Sequence, residues 1–139
     1  MPEQNKAFVR HLIEEVIGRG NFALVDELVA ADYMGHSSSP EMNSMEGHKQ
    51  FFAALRRAFP DLQITVEDQI AEGDRVVTRW TARGTHQAEF AVVPPTGRWV
   101  VMNGIDIDRI ANGKLVDCWT RSDDLSLLQQ LGAIPAPAI

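Results

Sequence analysis

The chain has 139 residues, 45% of them hydrophobic and 23% charged, the length and balance of one globular domain whose core needs no cross-links. Thirteen Lys and Arg stand against 19 Asp and Glu, for a net charge of -6. With Arg56-Arg57 the densest basic cluster, no excess of positive charge is available for a phosphate backbone, which excludes nucleic acid as a partner. Cys118 is the only cysteine, so an internal disulfide and zinc sites built on paired cysteines are ruled out. No apolar run reaches the length needed to cross a bilayer, and the N-terminus has no signal-peptide core, so a cytoplasmic protein with no membrane partner is expected.

Phe8, Leu12, Ile13, Val16 and Ile17 recur at helical spacing and predict a first helix that Gly18 and Gly20 end. Asn21 is placed to cap a short second helix carrying Phe22, Val25, Leu28 and Val29. Asp32 to Ser44 has no periodicity and reads as a loop. A third helix presents Phe51, Phe52, Leu55 and Phe59 on one face and stops before Pro60. The period then changes to two. Leu62, Ile64 and Val66 alternate with polar residues, as do Val76, Thr78 and Trp80, around a turn at Glu72-Gly73-Asp74. After a Pro94-Pro95-Thr96-Gly97 turn, a longer strand runs from Trp99 to Ile110, and Asn112-Gly113 closes a hairpin onto Leu115 to about Asp123. Asp124 is placed to cap a last helix through Leu125, Leu128 and Leu131, and the tail beyond Pro135 (136–139) reads as frayed. Helices first and a hairpin-rich sheet second predict an α+β fold of a single domain over 1–139, with helices on one face of a mainly antiparallel sheet.

The hairpin register decides which side chains face inward, since a one-residue slip inverts the faces. A three-residue turn with a bulge at Gly113 sets Val101, Asn103, Ile105 and Ile107 on one face with Asp117, Trp119, Arg121 and Asp123. The opposite face then carries Asp106, Asp108, Cys118, Thr120 and Ser122. Hydropathy favours the first set as the inner face, with Asp106 and Asp108 turned to water. Asp123 then becomes a carboxylate beside Trp119 and Arg121, either a general base in a partly dry pocket or a partner of Arg121 or helix cap. His86 follows the Trp80 strand with inward parity, and His36 lies in the loop after Tyr33, both positions from which an imidazole can shuttle a proton. His11 and His48 sit among polar residues and are expected in solvent. Trp80 and Trp119 suit the core or the walls of a site for a flat apolar ligand. No metal-binding His-Glu-x-x-His helix, Gly-x-Ser-x-Gly elbow or phosphate-binding Gly loop is present.

Several stretches resemble the SnoaL-like polyketide cyclases of the nuclear-transport-factor-2-like superfamily: Ala58-Phe59-Pro60-Asp61-Leu62, Ala71-Glu72-Gly73-Asp74-Arg75-Val76-Val77, Gly84-Thr85-His86 and Pro94-Pro95-Thr96-Gly97. The pattern continues in Arg109-Ile110-Ala111-Asn112-Gly113-Lys114-Leu115, Trp119 with Asp123 four residues on, and Gln129-Gln130-Leu131-Gly132, with Tyr33 and His36 upstream. The resemblance implies a cone-shaped curved sheet around a pocket closed by helices. It also implies ring closure of a hydrophobic carbonyl compound by an acid/base residue at Asp123, without cofactor or metal. His36 and His86 are then candidate catalytic partners, and Tyr33, Trp80, Asn103, Trp119 and Arg121 candidate substrate-binding residues. Superfamily members often dimerise through the outer face of the sheet, so a homodimer is expected. Asp117, Ala88 and Arg121 depart from the family pattern. Two other functions are open: an epoxide hydrolase resembling limonene epoxide hydrolase, with an Asp-Arg-Asp set drawn in part from Arg121 and Asp123, and a small-molecule-binding module without chemistry.

Overall fold

The computed structural model describes residues 2–37 and 42–135. Helix α1 (Pro2–Leu12) runs on into a π-helical stretch (Ile13–Gly18), and together they bury Val9, Leu12, Ile13 and Val16 along one side. Asn21 does not cap the next helix. α2 (Ala23–Leu28) starts from Phe22 without a side-chain cap, and Asn21 uses its backbone instead, its N–H on the Glu15 carbonyl.

The expected loop from Asp32 is partly a strand. β1 (Val29–His36) runs parallel to β5 (Lys114–Ser122), with His36 opposite Trp119 and an irregularity between Val29 and Met34. That irregularity breaks the alternation that a strand normally shows in sequence. Residues 38–41 of the expected loop, and the tail 136–139, lie outside the described residues. Ser44 caps α3 (Met45–Ala58), accepting from the Gly47 N–H at 3.0 Å. Phe59 follows, fully buried, a side chain worth roughly 2–3 kcal/mol of hydrophobic stabilisation.

β2 (Gln63–Glu72), β3 (Arg75–Thr85) and β4 (Trp99–Ala111) complete a five-stranded sheet in the order β1-β5-β4-β3-β2, antiparallel except at β1. α4 (Asp124–Gln130) follows, with Asp123 rather than Asp124 as its cap. The α+β class and mainly antiparallel sheet are as expected, and the helices cover the face of the sheet that carries Val76, Ala82, Val100, Met102, Ile110 and Leu115. No helix among the described residues is long and apolar enough to cross a membrane.

The β4–β5 hairpin corrects the expected turn and the expected inner face. Asn112 and Gly113 both take positive φ, 53° and 72°, as a two-residue turn of the mirror-image type requires. Ala111 pairs with Lys114 and Ile110 with Leu115, after which the register shifts so that Arg109 pairs with Asp117. The extra residue, Val116, restores the pairing of Ile105 with Arg121 and Ile107 with Trp119. The two sets of side chains are therefore grouped as the sequence predicts, but turned over. Asp106, Asp108, Cys118 and Thr120 face inward, while Ile105, Ile107, Trp119 and Arg121 face out.

Candidate active site

Helices and sheet enclose a mainly apolar cavity of about 140 Å³. α1 and its π-helical extension contribute Val9, Leu12, Ile13 and Val16, and α3 contributes His48, Phe51, Phe52 and Leu55. The sheet contributes the polar groups. Asp106, Asp108, Cys118 and Thr120 line the cavity with Tyr33 and Trp80.

Gly104 makes this arrangement possible. It pairs across the sheet with Trp80, whose indole lies over it, and a Cβ at 104 would come within 2.5 Å of the ring. The indole thereby reaches Asp106, and its Nε1–H donates to Oδ1 at 3.1 Å. Thr120 bonds the same carboxyl. Burial is the largest influence on Asp106 and pushes its pKa up from 3.8 to about 6, against the lowering effect of the Trp80 and Thr120 hydrogen bonds. Asp108, only 4% exposed, is raised well above the carboxylate range by burial first and by the neighbouring Asp106 charge second, with a hydrogen bond from Cys118 opposing. Two close carboxyls in a dry site resist ionising together, so the pair retains a proton where an exposed pair would have none.

Cys118 and Tyr33 extend the set. The thiol hydrogen-bonds Asp108, Tyr33 and, at 3.3 Å, Thr120. Burial and the adjacent carboxyls raise both the thiol and the phenol, which keeps them neutral donors and makes Cys118 a poor nucleophile. Asp106, Asp108 and Cys118 each offer a ligand atom within 4.8 Å of the others, but a neutral thiol beside carboxyls that share a proton is a poor set for a cation, which binds the deprotonated forms.

Of the residues singled out in sequence, Tyr33 and Trp80 line the cavity, while Asn103, exposed and paired with Thr81 on the outward row of β4, touches only its rim. Asp123 stands at its mouth, exposed, where its Oδ1 accepts from the Ser126 N–H at 3.0 Å and caps α4. Arg121 does not pair with it; the guanidinium donates to the carbonyls of His36 and Thr120 at 3.1 and 2.7 Å. Trp119 lies on the outer face between the His36 ring, stacked at 4.7 Å, and the Arg75 guanidinium, 5.2 Å from its centroid. His36 also meets Asp117 at 3.3 Å, and Arg109 donates to the same carboxylate at 2.7 Å. Burial alone would raise Asp117, but Arg109 and His36 outweigh it and hold the carboxyl below its ordinary value. His36, Trp119 and Arg121 are thus on the wrong side of the sheet to touch the cavity, because the inner and outer faces are exchanged. His86 is fully buried but outside it; the Thr96 N–H donates to Nδ1 at 3.1 Å, and the ring rests on Phe59.

The sequence reading missed Asp106, Asp108 and His48. Asp106 and Asp108 share their row of β4 with Val100, Met102 and Ile110, all buried, so an apolar row interrupted by two acids was visible. His48 falls at helical spacing from Phe52, Leu55 and Phe59. No arginine lines the cavity among the described residues, so an Asp-Arg-Asp set for epoxide opening is not assembled there.

An apolar cavity with a few convergent polar groups on a sheet closed by helices is the form of site that accommodates small molecules. The chain matches the family model for SnoaL-like polyketide cyclases over residues 7–131 and belongs to that family. Its fold is the cone of the nuclear-transport-factor-2-like proteins. It is similar to AclR, a candidate hydroxylase from Streptomyces galilaeus, at 29% identity over 97% of this chain and 100% of that one, with a TM-score of 0.87. IdmH, a candidate polyketide cyclase from Streptomyces antibioticus, is 34% identical over 93% and 99% of the two chains, with a TM-score of 0.80. A candidate SnoaL-like polyketide cyclase from Jannaschia sp. CCS1 is 26% identical over 97% and 96%, with a TM-score of 0.86. No curated protein sequence matches the chain.

Proposed function

We propose that this protein is an acid/base enzyme that closes a ring in a carbonyl compound, with its own side chains as the only catalysts. Asp106 takes a proton from a carbon next to a carbonyl. The enolate attacks a second carbonyl of the same molecule, forming the carbon–carbon bond, and the new alkoxide takes a proton back from Asp106. The observation that carries this reading is a carboxyl facing into an apolar cavity and oriented by the Trp80 indole at 3.1 Å, where burial raises its pKa toward the range of a general base. A folded substrate held in that space gains much of its acceleration from proximity. IdmH, a candidate polyketide cyclase, supports the choice of reaction; AclR, a candidate hydroxylase, marks how far chemistry varies on a similar fold.

The lining carries Asp106, Asp108, Asp123 and Asp124 and, among the described residues, no Lys or Arg. A free carboxylate would meet like charge with no cation to receive it, so the substrate is a flat apolar molecule without one. Asp123, the acid/base residue that the family resemblance implies, is already engaged as a helix cap at the cavity mouth. We read the protein as a cytoplasmic homodimer joined through the outer sheet face, where Trp99 and Ile105 are exposed.

Turnover of a panel of aromatic poly-β-carbonyl compounds by wild type, Asp106→Asn and Asp123→Asn tests the assignment. Loss of about 10²–10⁴-fold in kcat is expected for Asp106→Asn, with a smaller loss for Asp123→Asn and none on treatment with a chelator. The reverse ranking moves the base to Asp123. Retention of a bound compound without turnover assigns a binding module.

A further inference from the structure

α3 brings His48 to the cavity wall on the same helix face as Leu55. The imidazole is 6% exposed, and its Nδ1 has no hydrogen-bond partner among the described residues. The ring stands edge-on to Tyr33, with centroids 5.6 Å apart, and to Phe52 at 4.7 Å. Tyr33 in turn bonds Cys118, which bonds Asp108, so the histidine is linked to the carboxyl pair through Tyr33 and Cys118.

A leucine or phenylalanine at this position would fill a similar volume beside Phe52 without leaving a buried nitrogen unpaired, which is a standing cost to the fold. His86 also has an unpaired buried nitrogen, Nε2, but it is packed outside the cavity and its other nitrogen is engaged by Thr96. What distinguishes His48 is its position on the wall of a space that a ligand can enter. Burial pushes its pKa down to about 4, so the ring is neutral at pH 7 and offers one donor and one acceptor. Nδ1 has almost no accessible surface, so the nitrogen that meets a ligand oxygen is Nε2, as donor or acceptor according to the tautomer.

We infer that His48 is a substrate-binding residue whose imidazole hydrogen-bonds a carbonyl or hydroxyl oxygen of a flat apolar substrate in the cavity. This rests on the proposed function, which places the substrate there, and deepens it: the molecule carries an oxygen where it meets α3 and is oriented by that bond relative to Asp106.

Naphthalene and 2-naphthol, which differ by one hydroxyl, are the probes. In wild-type protein labelled with nitrogen-15 at histidine, 2-naphthol is expected to shift the His48 ring nitrogens, and naphthalene to leave them in place. By titration at pH 7, 2-naphthol is expected to bind about tenfold more tightly than naphthalene, the worth of roughly one hydrogen bond. His48→Phe should abolish that preference, and His48→Gln, which keeps a donor and an acceptor, should restore part of it. An unmoved His48 resonance with 2-naphthol bound, or an undiminished preference in a folded His48→Phe, overturns the inference and leaves the proposed function standing. Failure of both probes to bind the wild-type protein overturns both. The NMR measurement needs no variant, so a His48→Phe protein that does not fold leaves the test intact.

Discussion

The two faces of the β4–β5 hairpin present opposite chemistry. One carries Asp106, Asp108, Cys118 and Thr120, the other Ile105, Ile107, Trp119 and Arg121. In a solid core the second set would face in. Here the acidic set does, because this sheet bounds a cavity rather than a filled interior, and the apolar set is partly covered from outside by the His36 ring and the Arg75 side chain. An inner face that lines a cavity answers to a ligand as well as to packing, and hydropathy is an unreliable guide to its direction. The two Asp residues keep their inward place at a cost in desolvation, which the raised pKa values express.

This contrast is open to perturbation from either face. The largest effect on stability falls where the inner face is tightest. Gly104→Ala puts a methyl group within 2.5 Å of the Trp80 indole and 2.7 Å of the Arg121 carbonyl oxygen. Chemical denaturation should show a loss of about 3 kcal/mol, near the upper end for overpacking a built interior. Next comes Asp106→Asn, with the opposite sign. Folded Asp106 holds its proton more tightly than the unfolded chain does. Its contribution to stability is therefore complete below the ordinary value of 3.8 and is lost as pH rises through about 6. The amide has no such loss, so it should stabilise the protein at pH 7 by up to about 3 kcal/mol and flatten the fall between pH 4 and 7 in thermal melts. A variant less stable than wild type at pH 7 would show that the carboxylate is better solvated than its burial implies.

On the hairpin's far end, Asp123→Ala removes the α4 cap and should cost about 1 kcal/mol by urea denaturation, independently of its effect on turnover. The outer face should respond least. Arg75→Ala removes the guanidinium over Trp119, an exposed cation–π contact worth about 0.5–1 kcal/mol. A larger loss would mean that the outer face holds more of the fold together than its exposure suggests.

Much of this was legible in the chain. The three-to-four spacing of Phe8, Leu12, Ile13, Val16 and Ile17, and of Phe51, Phe52, Leu55 and Phe59, marked the helices and their apolar sides, since only a helix aligns those positions, whereas His48, expected in solvent, is buried. Alternation at Val76, Thr78 and Trp80 gave β3 and its inner row directly, and Asn112-Gly113 gave the hairpin because few other pairs accept two positive φ angles. The grouping of β4 with β5 followed from parity. β1 was not legible, since its pairing is with the last strand, more than 80 residues away, and its irregular register erases the alternation.

What the sequence by itself determined, then, is local: the element order, the α+β class, the family pattern and which side chains share a face. Tertiary structure alone decided which face encloses the cavity, that Asp123 ends as a helix cap at its mouth, that Trp80 bonds Asp106, and that Tyr33 and His48 from distant elements line the same cavity. Alternation carries parity but no sign. The sign comes from the helices that cover one side of the sheet, and the acids tolerate that side because Trp80, Thr120 and Cys118 are brought within hydrogen-bonding reach of them.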